Sequence, residues 1–244
     1  MLIDTYFQKM RAQLDALAAN TAPIQQAAAV CADALSNGGA IHVFDSGHLI
    51  SHELINRAGG LVAMSRLAFS MPVEDTVKNR PDAPLPAGNT LSFGYIAHVF
   101  STGQLRPGDV LFIGSVSGKT PNVIELALQG KAHGLHVIAV TALAYSSRLQ
   151  SEHPSGKHLF EAADLVLDNG APYGDALLPV EGLEYAICPA SGVSAAMVMW
   201  AVVAGIVEEM LARGLKPTVY ASVNRPDGWK ALAEVEAEAR RKGY

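Results

Sequence analysis

Residues 109–141 read DVLFIGSVSGKTPNVIELALQGKAHGLHVIAVT. Two runs of apolar and β-branched residues, 109–114 and 135–141, flank a stretch of helical composition at 120–131. Strands with continuous rather than alternating hydrophobicity are covered on both faces. A helix joining two of them is the crossover of a parallel pair. Thr120 and Pro121 mark the helix start, as N-cap and first helical residue.

The same alternation extends to either side. Residues 40–44 read as a strand, 48–57 as helical, 61–65 as a second strand, and 164–167 as a further strand. Ahead of these, residues 5–36 are rich in Ala, Leu and Gln and divide into two helices around Asn20-Thr21-Ala22-Pro23. Residues 190–212 form a long helix apolar nearly all round, which places it against several neighbours or at a subunit contact. A charged helix at 228–242 ends the chain. Residues 68–89 are proline-rich and aperiodic, the pattern of a long loop that either covers a site or makes a mobile excursion. The expected architecture is one α/β, doubly wound domain over 1–244, with an N-terminal helical segment (1–36), a core (37–215) and a C-terminal tail and helix (216–244).

Half of the 244 residues are hydrophobic and 17% are charged, enough for a sizeable core and too apolar for extensive disorder. Eighteen Lys and Arg against 23 Asp and Glu give a net charge of −5, which disfavours a nucleic-acid partner. Cys31 and Cys188 form no CxxC and fit a reducing cytosol. The N-terminus lacks the order of a signal peptide, and the apolar run 195–207 is shorter than the roughly 20 residues a bilayer requires. A cytoplasmic protein with no membrane partner is expected.

Ligands of open parallel sheets bind beyond the carboxyl ends of the strands. That rule selects Asp45-Ser46-Gly47-His48, then Ser115-Val116-Ser117-Gly118-Lys119-Thr120, then Thr141 with Ser146 and Ser147. Hydroxyls and free N–H groups at a helix start suit a phosphate group, and glycine permits close approach. Ordinary helix capping explains any one of these loops, whereas several on one sheet edge favour an anion site. The run from Gly114 to Thr120 imitates the triphosphate loop GxxxxGK[ST], but only three residues separate Gly114 from Gly118 where four are needed. The dinucleotide fingerprint GxGxxG is absent. No cofactor is expected.

Taken together these segments resemble the sugar isomerase (SIS) domain family. Ser-Gly-His-Leu at 46–49 is similar to the family's first loop, and Ser-Val-Ser-Gly-Lys-Thr at 115–120 matches its Ser-x-Ser-Gly-x-Thr pattern. Cys-Pro-Ala-Ser-Gly-Val-Ser-Ala-Ala at 188–196 is similar to the stretch opening the last helix, although Gly192 and Val193 stand where hydroxyls are common. The resemblance covers residues 35–215 and is closest to an uncharacterised branch carrying Asn-Gly-x-Pro-Tyr-Gly-Asp-Ala, here 169–176, and Glu-Gly-Leu-Glu, here 181–184. It implies a three-layer, Rossmann-like, five-stranded parallel sheet that binds a phosphosugar. Ser46, Gly47, Ser115, Ser117, Gly118, Lys119, Thr120 and Thr141 are then the expected phosphate contacts.

Aldose–ketose isomerisation needs a base beside a carbonyl and a group to open the sugar ring. The family commonly places a Glu just before the last helix, which implies Glu184. Glu53 follows Ser46 by seven residues, about two helical turns, and is the second candidate. His48 and His52, four apart, are candidates for ring opening; without a third ligand they make no metal site. The expected function is phosphosugar isomerisation by a homodimer or homotetramer. A sugar-phosphate ether lyase and a non-catalytic phosphosugar sensor are the alternatives.

Overall fold

A computed structural model of the chain describes residues 1–47, 50–70 and 93–243. Helices α1 (Leu2–Ala18) and α2 (Ala22–Ser36) divide at the expected break, with Pro23 in the first turn of α2. There follow β1 (Ile41–Asp45), the single turn α3 (Ser51–Leu54), β2 (Met64–Arg66), α4 (Gly94–Thr102), β3 (Val110–Gly114) and α5 (Pro121–Ala132). Next come β4 (His136–Thr141), the short α6 (Leu143–Ser146) and α7 (Leu159–Ala162), and β5 (Leu165–Asp168). A hairpin of β6 (Ala176–Leu178) and β7 (Ile187–Pro189) precedes α8 (Ser191–Ala212) and α9 (Gly228–Lys242).

Strands β1 to β5 form one sheet in the order β2-β1-β3-β4-β5, and every neighbouring pair is parallel. All five residues of β3 are buried. Val110 and Phe112 join a cluster with Ala28, Cys31 and Val202 from α2 and α8, while Leu111 and Ile113 join Ile96, Val123 and Leu126 from α4 and α5. Period-two alternation thus sends neighbouring residues to two different helical layers. Burial pushes the Cys31 thiol well above its ordinary range, so it serves as a small packing residue.

Helix α8 lies closely on α2. A Cβ at Gly205 would come within 2.7 Å of the Ala28 Cβ, so the two helices approach through glycine. Among the described residues, α8 is the one helix long and apolar enough to cross a bilayer, which corrects the estimate made from 195–207 alone. Its Ala195, Val198, Met199, Val202 and Ile206 lie in the core, while Val193, Met197 and Leu211 are exposed.

Two local expectations change. The helix expected over 48–57 is only α3. The Asp45 carboxylate accepts the N–H groups of Gly47, Ile50 and Ser51, which bends the chain before the helix begins. Asn56, at φ 53, follows the helix closely. The second strand begins at Met64 because Leu61 and Val62 pair with Val219 and Thr218 of the C-terminal tail instead. Most of the expected loop at 68–89 lies outside the described residues. Helix α4 and the β6–β7 hairpin are additions that sequence patterning did not assign.

At the amino-terminal edge of the sheet, Asp109 accepts the N–H groups of Ala40 (2.8 Å) and Arg106 (2.9 Å) and pairs with His42 Nε2 at 2.9 Å. The Asp109 side chain is 4% exposed, so its loss strands buried donors. Asp109→Ala is expected to lower unfolding stability by about 2–4 kcal/mol in urea denaturation. A loss below about 1 kcal/mol would show that water replaces the carboxylate without penalty.

Candidate functional site

The strand order reverses direction between β1 and β3, which creates a crevice at their carboxyl ends. There the Ser46 N–H donates to the Gly114 carbonyl at 3.0 Å, bringing the loops after the two strands side by side. Beyond them opens a cleft of about 400 Å³, lined by Ser46, Ser115, Val116, Ser117, Thr120, Asn122, Tyr145, Gly174 and Asp175.

The β3–α5 loop has little freedom. Ser115 is 3% exposed, and its Oγ accepts the Gly118 N–H at 3.3 Å. The Val116 carbonyl accepts both the Thr141 hydroxyl (3.0 Å) and the Ala142 N–H (3.2 Å). Gly118 sits at φ 55, where a Cβ would meet Leu159 at 3.2 Å and the Thr141 hydroxyl at 3.3 Å. Its N–H is spent on Ser115 and points to no phosphate wrap, in keeping with the shortened triphosphate-like spacing.

Helix α5 begins at this loop with Pro121 after the N-cap Thr120, and the Thr120 side chain makes no capping bond. Its hydroxyl is buried with no hydrogen-bond partner, and Thr120 and Asn122 both line the cleft. A helix start supplies N–H groups without intrahelical acceptors and partial positive charge. Hydroxyls, an uncapped helix end and an amide on one cleft are groups of the kind that can donate to an anion's oxygens.

Tyr145 and Asp175 add functional groups that sequence reasoning missed. Asp175 adopts φ 59 and holds the start of α8. Its carboxylate accepts the Ser191 N–H at 2.8 Å, the Ala190 N–H at 3.2 Å and the Ser191 hydroxyl at 2.6 Å. Both lie beside segments already singled out, Tyr145 between Thr141 and Ser146 and Asp175 within 169–176.

Several candidates sit elsewhere. Thr141 is fully buried behind the loop and braces Val116. Lys119 turns away to Glu152, at 2.6 Å; that hydrogen bond, followed by the carboxylate's charge, raises its pKa. Gly47 donates its N–H to Asp45. Glu53 faces Arg57 (2.9 Å) and the Trp200 indole (3.4 Å), not the cleft. The seven-residue argument from Ser46 fails because no continuous helix joins the two. His52 is exposed on α3, and His48 lies outside the described residues. Glu184 is exposed in the loop between β6 and β7 and does not line the cleft of its own chain. Among the described residues no group of three His, Cys, Asp or Glu could hold a metal ion.

A larger cavity, about 490 Å³, lies between α1, α2 and β5. Its walls include Leu17, Ile24, Leu143, Val166 and Val198, and its Asp168 is engaged by the N–H groups of Leu143 and Gly170. No serine or threonine among the described residues lines it, although Pro23 and Leu143, at the starts of α2 and α6, do.

Residues 5–142 match the SIS domain family model. The chain belongs to the SIS-domain family. A UPF0309 protein of Listeria monocytogenes is 37% identical over 242 residues, covering 95% of this chain and 94% of the relative. A UPF0309 protein of Geobacillus kaustophilus is 34% identical, covering 91% and 88%. Among solved structures, the phosphoheptose isomerase of Neisseria gonorrhoeae is similar in fold, with a TM-score of 0.53, 20% identity, and coverage of 84% of this chain and 97% of that one. The sugar isomerase domain of an RpiR transcription factor from Sphaerobacter thermophilus gives a TM-score of 0.50 at 14% identity, covering 99% and 98%. The α/β SIS architecture with its five-stranded parallel sheet is therefore shared by enzymes and regulators.

Because Lys119 is committed to Glu152, Lys119→Met should change the affinity for inorganic phosphate by less than roughly twofold. Titration calorimetry at constant ionic strength measures this. A tenfold loss would return Lys119 to the cleft.

Proposed function

We propose that this SIS protein binds a sugar phosphate in the β1–β3 cleft and interconverts its aldose and ketose forms as a homodimer. The observation that carries the binding step is the start of α5, where the Thr120 hydroxyl is buried, unpartnered and at the cleft. Ser46, Ser115 and Ser117 add hydroxyls from two strand ends, and the helix start adds positive potential. Tyr145, Asn122 and Asp175 are left to hold the sugar. A carboxylate so placed accepts sugar hydroxyls, and its charge is offset by the N–H donors of α8.

Proton transfer needs a carboxylate less heavily engaged than Asp175. Glu184 stands in an exposed loop flanked by Leu183 (55% exposed) and Tyr185 (75%), with Ile187 and the α8 residues Val193 and Met197 also exposed. Apolar side chains on a projecting hairpin and an uncovered helix face suit an isologous contact with a second copy. In such a dimer Glu184 serves the cleft of the partner.

A sensor without catalysis is the second reading, favoured by the absence of Glu53 and Glu184 from the cleft of the single chain. It also accords with the structural likeness to regulator domains. Sugar phosphates incubated in heavy water separate the two. The isomerase incorporates deuterium beside the carbonyl, and Tyr185→Asp, which opposes dimerisation, abolishes incorporation. Binding without incorporation in the wild type would establish the sensor.

The binding step has its own test. Ser117→Ala combined with Thr120→Ala removes two charge-assisted hydrogen bonds, so affinity for sugar phosphates should fall at least about tenfold in calorimetry while the melting temperature holds. Undiminished binding would remove the phosphate from this cleft.

A further inference from the structure

At the cleft wall, the Tyr145 ring meets Tyr173 edge to face, with centroids 5.1 Å apart and planes at 73°. The Arg148 guanidinium lies over the outer Tyr173 ring, 5.6 Å from its centroid. Tyr173 is 55% exposed and adjoins Gly174 and Asp175 of the cleft, and the Arg148 N–H closes a turn on the Tyr145 carbonyl at 3.1 Å. The three side chains therefore form one platform attached at two points to the cleft lining.

The cations nearby differ in how they are held. Lys119 is neutralised by Glu152. Arg148 is exposed and makes no ion pair among the described residues. An aromatic face orients a guanidinium without occupying its N–H groups, leaving the planar fork available to a carboxylate or phosphate. Asp175 is the negative group on the same wall, and three donors at the start of α8 engage it.

We propose that Arg148, positioned by Tyr173 and Tyr145, is a specificity subsite that selects sugar phosphates bearing a second anionic group at the end remote from the phosphate. The inference rests on the phosphosugar-binding step of that reading; an anion at that end takes the place of the aldehyde carbon, so a ligand selected here is bound without isomerisation, as the sensor reading has it. The phosphate takes the hydroxyls and helix start, the carbon chain crosses the Tyr145 ring, and the distal anion takes the guanidinium fork.

Calorimetry with three probes tests it: inorganic phosphate, glucose 6-phosphate, and 6-phosphogluconate, which adds a carboxylate. The wild type should prefer 6-phosphogluconate over glucose 6-phosphate by about tenfold, and Arg148→Gln should bring that ratio to within roughly twofold of parity. Arg148 is exposed, so the substitution leaves the core intact. Tyr173→Ala, which keeps the charge and removes its platform, should also narrow the ratio. A wild type without preference, or an Arg148→Gln variant that keeps it, overturns the subsite while phosphate binding stands. Failure of inorganic phosphate and both sugar phosphates to bind the wild type overturns the phosphosugar reading itself, and the subsite with it.

Discussion

A sheet buried on both faces leaves its function nowhere to go but its ends. Strands β1, β3 and β4 give their side chains alternately to the α2–α8 layer and the α4–α5 layer, so neither face offers a surface for a ligand. The carboxyl ends differ, because each leads into a loop whose backbone must find partners before the next helix starts. Where β1 and β3 part company, two such loops lie side by side, joined by the Ser46–Gly114 hydrogen bond. The cleft, its hydroxyls and the uncapped start of α5 beside it all follow from that reversal of strand order.

Aspartates at strand ends and turns govern how each loop turns. Asp45 gathers three backbone N–H groups after β1, Asp168 ties Leu143 and Gly170 after β5, and Asp175 holds the first turn of α8. Asp109 does similar work at the opposite edge, for Ala40 and Arg106. Each carboxylate replaces hydrogen bonds that irregular backbone loses on leaving water. Their cumulative effect is a stiff rim. This explains why Thr120 stands out: most helix starts and turns nearby have a side-chain partner, and the start of α5, at the cleft, does not.

Much of the architecture was legible because it is written in local patterns. The unbroken apolar runs of β3 and β4, the Thr120-Pro121 start of α5 and the break before Pro23 are short-range signals, and each lies within one or two residues of its place. Two of the three hydroxyl-bearing loops meet, with Ser46, Ser115, Ser117 and Thr120 on one cleft, while Thr141 and Ser146 of the third are buried and do not line it. The carboxylates were not legible. Glu53 would share a face with Ser46 only on a continuous helix, and Asp45 prevents one by capturing the N–H groups of Ile50 and Ser51. Lys119 sits inside the most characteristic loop, yet a carboxylate 33 residues away claims its charge.

The sequence by itself determined that this is a parallel α/β sheet with hydroxyl-rich turns at its strand ends, because periodicity, capping and glycine placement act over a few neighbouring residues. Only the tertiary structure decided which side chains meet at the cleft. Tyr145 and Asp175 reach it while Thr141 and Lys119 do not, since direction there is set by bonds between distant segments, Thr141 to Val116, Lys119 to Glu152, and Asp175 to Ser191. Such bonds depend on how the layers stack, and no window of neighbouring residues contains that information.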